Sequence, residues 1–232
     1  MEFNKLFSVK KPLIGMIHLA GDKPIKRALE ELLIYEEQEI DGAIIENYHA
    51  ISDYIPEVLK ESYSLNLKII KGVNVLRNPY TAFNIASNFD AKFIQFDSIQ
   101  TPDLNLQEYE FQRKKYPNIY VLGGVGFKYL PPTGNPLKKD LDETKPRCEA
   151  IVTTGTGTGI ETPIRKLKQY KELLKDFPLI VGAGVNKENV YEQLKITNGA
   201  IIGSAFKVDN NTHNKLDIKK IKDIVDIVKT LR

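Results

Sequence analysis

Eight short runs of apolar residues, each followed by a stretch long enough for a helix, divide this chain from end to end. The runs cover residues 13–18, 42–46, 68–75, 92–97, 119–122, 150–153, 179–182 and 200–203. They are continuously apolar, not alternating, which is the mark of parallel strands covered on both faces. Between them, apolar residues recur at the helical period. Ile25, Ala28, Leu29, Leu32 and Leu33 form the first such set, and Ile55, Val58 and Leu59 the second. Ile218, Ile221, Val225, Val228 and Leu231 form the last. Asn78-Pro79 and Thr162-Pro163 read as helix caps followed by proline at the first helical position. Eight such units in 232 residues predict a single α/β domain over 1–232, a closed (β/α)8 TIM barrel. A doubly wound sheet would open on a glycine-rich nucleotide turn. Here the first strand runs into His18-Leu19-Ala20-Gly21-Asp22, and the glycine-rich turns come late.

The least regular stretch is 123–136, rich in proline and glycine, which predicts a long loop after the fifth strand and a candidate lid. A short helix over 137–143 follows.

Charge is nearly balanced at +3, with lysines dispersed along the chain, so no nucleic-acid partner is implied. The single Cys148 reads as a packing residue in a reducing compartment. Residues 1–12 are short and polar and do not resemble a signal peptide. No apolar run approaches the ~20 residues needed to span a bilayer. A cytoplasmic protein without membrane insertion is expected.

In such barrels the carboxyl ends of the strands carry the chemistry, with a phosphate site near the last two. Gly182-Ala183-Gly184 and Gly203-Ser204 end strands seven and eight. Glycines let a backbone approach an anion whose oxygens its amides can meet. Gly182, Gly184, Gly203 and Ser204 are therefore candidate phosphate ligands, with Lys207 as a nearby positive charge; tight turns alone would explain the same glycines. Thr154, Gly155, Thr156 and Gly157 form a polar, uncharged loop that suits ligand contact or a plain connector.

Glu46 ends the second strand and is a candidate general base. With Asp97 it also leaves a divalent cation open, although no cofactor is predicted; a salt bridge to Arg77 or Lys128 is the alternative. Asn74 suits a reacting oxygen, and Arg77 suits an anionic group held bidentately. His18 is a third candidate, or a framework histidine. Lys128 is a candidate anion ligand or Schiff-base amine. His49 and His213 lack metal-ligand spacing with Cys148, so no zinc site is expected.

Several phrases together resemble the BtpA/SgcQ family. They are Ile14-Gly15-Met16-Ile17-His18-Leu19, Asp41 through Asn47 with its Glu46-Asn47 ending, and Gly72-Val73-Asn74-Val75-Leu76-Arg77-Asn78. The Thr-Gly stretch 152–159, Gly182-Ala183-Gly184-Val185 and the run 199–207 complete the match. The resemblance implies a barrel of the ribulose-phosphate-binding type. Its names point to photosystem I stabilisation and to a sugar-utilisation cluster, and neither supplies a reaction. The chain departs from the family in a shortened loop after the first strand. It also has Gly124 where an acidic residue is usual, and Tyr129 in place of a histidine after Lys128.

The leading expectation is an isomerase, epimerase, aldolase or lyase acting on a small phosphorylated metabolite. A non-catalytic assembly factor is the alternative. A prenyl-transfer barrel would need an apolar groove and a diphosphate-binding cation that the sequence does not display. Self-association is compatible with such a barrel.

Overall fold

Eight parallel strands pair in sequence order around a closed barrel in the computed structural model, which describes residues 2–232. They are β1 (Leu13–His18), β2 (Gly42–Glu46), β3 (Ile70–Asn74), β4 (Phe93–Phe96), β5 (Tyr120–Gly124), β6 (Ala150–Thr154), β7 (Leu179–Gly182) and β8 (Gly199–Ile202). The connecting helices are α1 (Pro24–Glu37), α2 (Tyr54–Ser62), α3 (Thr81–Asn88) and α4 (Leu106–Lys115) in the first half. In the second half they are α5 (Leu137–Thr144), α6 (Ile164–Leu174), α7 (Val190–Ile196) and α8 (Ile218–Lys229). The fold is a TIM barrel, as the eight apolar runs predict.

Successive side chains of a strand point to opposite faces, so each strand feeds two cores. Leu13, Ile17, Ala43, Ile45, Val73, Ile94, Val121, Ile151 and Val181 pack outward beneath the helices. Ile14, Met16, Ile44, Phe93, Leu122, Ala150, Val152, Ile180 and Ile201 fill the barrel. Gly72 belongs to this inner set because the Phe93 ring occupies its side-chain space; a Cβ there would lie 2.4 Å from the ring.

The residues before β1 are part of this inner core. Phe3, Leu6 and Phe7 are buried and close the floor of the barrel, Phe7 meeting Phe93 edge-on at 5.9 Å. Reading residues 1–12 as a polar lead-in overlooks three apolar side chains whose partners lie far along the chain.

Several predicted boundaries shift. Asn78 does not cap α3: the helix begins at Thr81, whose N–H and hydroxyl both donate to the Asn78 carbonyl, and Pro79-Tyr80 form a turn. Thr162 does not cap α6 either; its hydroxyl donates to the Gly182 carbonyl at 3.0 Å and ties the loop after β6 to β7. On α1 the buried stripe runs through Ala28, Glu31, Leu32 and Tyr35, leaving Leu33 exposed. Ile218 on α8 is likewise exposed, and Ile224 is buried. Asp217 is a true cap, accepting from the Lys220 N–H. Cys148 is buried, as expected. Among the described residues no helix is long and apolar enough to cross a membrane.

Because Phe7 plugs the end of the barrel opposite the mouth, Phe7→Ala should destabilise the fold by about 3–5 kcal/mol. Urea unfolding would measure this, and a loss well under about 1 kcal/mol would show that the floor does not support the barrel.

Candidate active site

The last inward position of each strand faces the mouth of the barrel. On β1, β2 and β3 these positions are His18, Glu46 and Asn74, which the parallel register sets side by side. All three are buried. The Asn74 amide donates to Glu46 Oε1 at 2.7 Å and to Asp97 Oδ1 at 3.0 Å. Asp97, just beyond β4, also accepts from Gln95 Nε2 at 2.9 Å. Two carboxyl groups thus share one amide group, Glu46 buried and Asp97 partly open to solvent.

Burial first, and then the Asp97 charge, push the Glu46 carboxyl up to about 8; Lys128 and the Asn74 hydrogen bond pull the other way. Glu46 therefore holds a proton at neutral pH. His18 Nε2 lies 3.7 Å from Glu46 Oε2. Burial, followed by the positive charges of Lys207 and Lys128, holds the imidazole well below its usual range. It is thus neutral, and its Nδ1 is buried with no hydrogen-bond partner among the described residues. The sequence presents Gln95 as a residue of the fourth strand and Asp97 as a partner of Glu46 for a cation. The alternation that makes Glu46 inward-facing also makes Gln95 so.

Gly124 explains part of this arrangement. A Cβ there would fall 1.9 Å from the Asp97 carbonyl oxygen, so this backbone leaves no room for an acidic side chain at 124. The second carboxylate of the mouth comes from Asp97 instead.

On the other side of the mouth, the loops after β7 and β8 meet. Gly184, Val185 and Asn186 from one, and Ser204 and Ala205 from the other, line a cup of about 350 Å³. Thr158, Gly159 and the segment Asn210–Asn211–Thr212 complete its wall. Gly184 has φ 63°, and a Cβ there would come within 2.3 Å of the loop after β6, so only glycine fits without displacing that loop. The amides of Gly184, Val185, Ser204 and Ala205 donate to no acceptor among the described residues. Gly182 and Gly203 stand at the strand ends behind the cup, not in its lining. Gly203 joins the two halves of the site: its side-chain position would be 2.9 Å from His18 Cε1, and Ser204 follows it into the cup.

Two predicted cations are absent from this assembly. Lys207 is fully buried and turned inward, donating to both oxygens of Glu31 at 2.6 Å. Arg27 pairs with the same carboxylate at 3.1 Å. An ammonium without solvent requires such a partner, and Glu31 supplies it beneath α1, away from the cup. Arg77 is exposed on a left-handed turn, φ 71°, and takes no part in the hydrogen bonds of the mouth. Neither Arg77 nor Lys128 pairs with Glu46 among the described residues. One cation beside the cup is Lys220, which donates to Asn210 Oδ1 and to the Lys207 carbonyl, both at 3.0 Å.

The Thr-Gly loop after β6 crosses the mouth. Thr158 accepts from Lys128 Nζ at 3.1 Å, hydrogen-bonds Tyr48 at 3.1 Å, and donates its N–H to the Tyr129 hydroxyl at 2.8 Å. Tyr129 thereby latches the loop after β5 to that after β6. Thr154, Gly155 and Thr156 line a second cavity of about 680 Å³, walled by Lys128 and by residues 130–135 within the predicted lid 123–136. Gly157 is buried beside Tyr129. Lys128 is half-buried and faces Thr158, an arrangement that serves charge placement better than Schiff-base chemistry. Among the described residues no group of three metal-ligating side chains comes together.

Residues 9–230 match the BtpA family model. The chain belongs to the BtpA family. An uncharacterized protein of Methanocaldococcus jannaschii is 31% identical, covering 96% of this chain and 97% of the relative. The photosystem I biogenesis protein BtpA of Synechocystis is 24% identical, covering 97% and 91%. The putative sgc region protein SgcQ of Escherichia coli is 24% identical, covering 98% of each. Among solved structures, N-(5'-phosphoribosyl)anthranilate isomerase from Pyrococcus furiosus superposes with a TM-score of 0.65 at 17% identity, covering 95% and 99% of the two chains. The tryptophan synthase alpha chain from Legionella pneumophila gives 0.68 at 13% identity, covering 96% and 93%. These likenesses bear on the fold.

The raised carboxyl of Glu46 has a thermodynamic signature. Between about 4.5 and 8 the folded chain keeps a proton that the unfolded chain releases, so this group's contribution to stability falls as pH rises through that window. Glu46→Gln keeps an acceptor for Asn74 but cannot titrate. Its melting temperature should gain on the parent's as pH is raised from about 5 to about 9. A difference between the two that stays constant with pH would mark Glu46 as an ordinary carboxylate.

Proposed function

We propose that this chain is an enzyme that moves a proton on a small phosphorylated metabolite, such as a sugar phosphate. The observation that carries the proposal is the Glu46–Asn74–Asp97 bridge, in which one amide holds the buried, protonated Glu46 beside a second carboxyl group. A carboxyl group that keeps its proton at neutral pH suits an acid. Glu46 supplies the proton, and neutral His18 accepts or orients at its unpaired Nδ1. Asn74 fixes the geometry, both hydrogens of its amide being committed to the two carboxyl groups.

The cup formed by the loops after β7 and β8 would take the phosphate through backbone amides and Ser204. Anchoring a group remote from the reacting atoms restricts the substrate and favours reaction. Gly203 places the cup one residue from the His18 contact, so one small molecule can reach both. The phosphoribosyl name of the Pyrococcus furiosus neighbour is compatible with this reading. Isomerisation, epimerisation, aldol cleavage and elimination all require such a proton step.

Two measurements test it together. Phosphorylated sugars should raise the melting temperature, and Ser204→Asp, which sets a carboxylate in the lining of the cup, should cancel the rise. With a compound that binds, deuterium from solvent should enter the carbon next to its carbonyl, and Glu46→Gln should slow this by about 10²–10⁴-fold. Failure of every phosphorylated compound to bind or exchange would favour a non-catalytic role, such as the biogenesis role named for the Synechocystis relative.

A further inference from the structure

Against the cup lies a pair of histidines that neither the acid cluster nor the cores employ. His49 follows β2 and His213 precedes α8, yet their rings stack with centroids 3.5 Å apart and planes 26° apart. His49 Nε2 is 2.9 Å from Thr212 Oγ1, and Thr212 lines the cup. His213 is tied to the same segment, its N–H donating to Asn211 Oδ1 at 3.0 Å. A hydroxyl carries one proton. When Thr212 donates that proton to an anion in the cup, its oxygen accepts from His49 Nε2–H, which the neutral tautomer supplies, so a proton added on binding goes to the remaining ring nitrogen or to the stacked ring.

The groups facing His49 are the stacked His213 ring and the edge of Tyr48 at 4.7 Å. Arg27 and Lys207 add positive charge, and Arg27 Nη1 also donates to the His213 carbonyl at 2.6 Å. Burial, then His213, Arg27 and Lys207, lower the pKa of His49, so the imidazole is neutral at pH 7. A dianion within the cup opposes these influences. Lys207 cannot supply the compensating charge at that wall because Glu31 holds it.

We propose that His49 and His213 form a titratable wall of the anion site, and that a tetrahedral dianion binds with uptake of a proton onto this pair. The inference rests on the reading of the cup as a phosphate site, and it adds a preference for dianions and a pH dependence. Affinity should rise as pH falls through the bound-state titration of the pair.

Inorganic sulfate is the suitable probe, because it stays a dianion over the whole range while a phosphate ester changes charge near pH 6. Calorimetry between about pH 6 and about pH 8, in buffers of different ionisation enthalpy, should show uptake of up to one proton. The affinity should rise by up to about tenfold per pH unit, the limit for one linked proton. His49→Gln retains an N–H donor for Thr212 and should bind sulfate with little pH dependence. Sulfate binding that is independent of pH and takes up no proton would overturn the proposal while leaving the cup intact. No sulfate binding at any pH would overturn both. An unchanged pH slope in His49→Gln would assign the proton elsewhere. Should that variant not fold, side-chain nitrogen NMR of the parent protein decides: sulfate should move His49 and His213 toward imidazolium shifts, and unmoved signals would reject the idea.

Discussion

In a closed barrel every second residue of a strand points inward, and the last inward residue meets the mouth. That alternation packs the interior with Ile14, Met16, Ile44, Phe93 and their neighbours. Continued by one more step, it delivers His18, Glu46 and Asn74 to one arc of the rim. On the opposite arc the same step reaches Thr154, Gly182 and, just past β8, Gly203. The mouth is therefore polar and acidic on one side and small on the other. A one-residue slip in any of these strands would bury a polar group under the helices and turn an apolar one into the opening. Core packing and site construction are thus a single constraint.

Two buried carboxylates show how environment separates framework from chemistry. Glu31 sits beneath α1 with Lys207 and Arg27 on its oxygens, and its charge is matched. Removing either cation would leave charge stranded in the interior, which is costly. Glu46 is as buried but has a second carboxylate for a neighbour and a neutral amide for a partner. Holding a proton is its means of avoiding an unpaired buried charge. A proton held in this way is available for transfer, whereas the Glu31 charge is fully committed to its two cations.

The barrel and the polar strand ends were legible because each depends on local pattern. Apolar runs show strands, and the residue that ends a run shows what faces the mouth. The failures have a common physical cause. Lys207 and Arg77 both look like anion ligands by position, but a long side chain turns toward whatever lowers its free energy, and Glu31 lies far away in sequence. Phe3, Leu6 and Phe7 carry no periodicity that reveals the floor of a barrel. The His49–His213 stack joins segments 164 residues apart and follows no ligand spacing. Asn78-Pro79 and Thr162-Pro163 obey a cap rule, but local turns and the Gly182 carbonyl offer competing hydrogen bonds.

The loop after β6 connects these parts. Thr158 is held by Tyr48 from the loop after β2, and by Lys128 and Tyr129 from the loop after β5. It also lines the cup between the loops after β7 and β8. An anion seated there would therefore touch the residue that fastens three loops over the acid cluster. Exclusion of water strengthens every charge interaction beneath such a cover. It also sustains the raised carboxyl of Glu46, whose principal cause is burial.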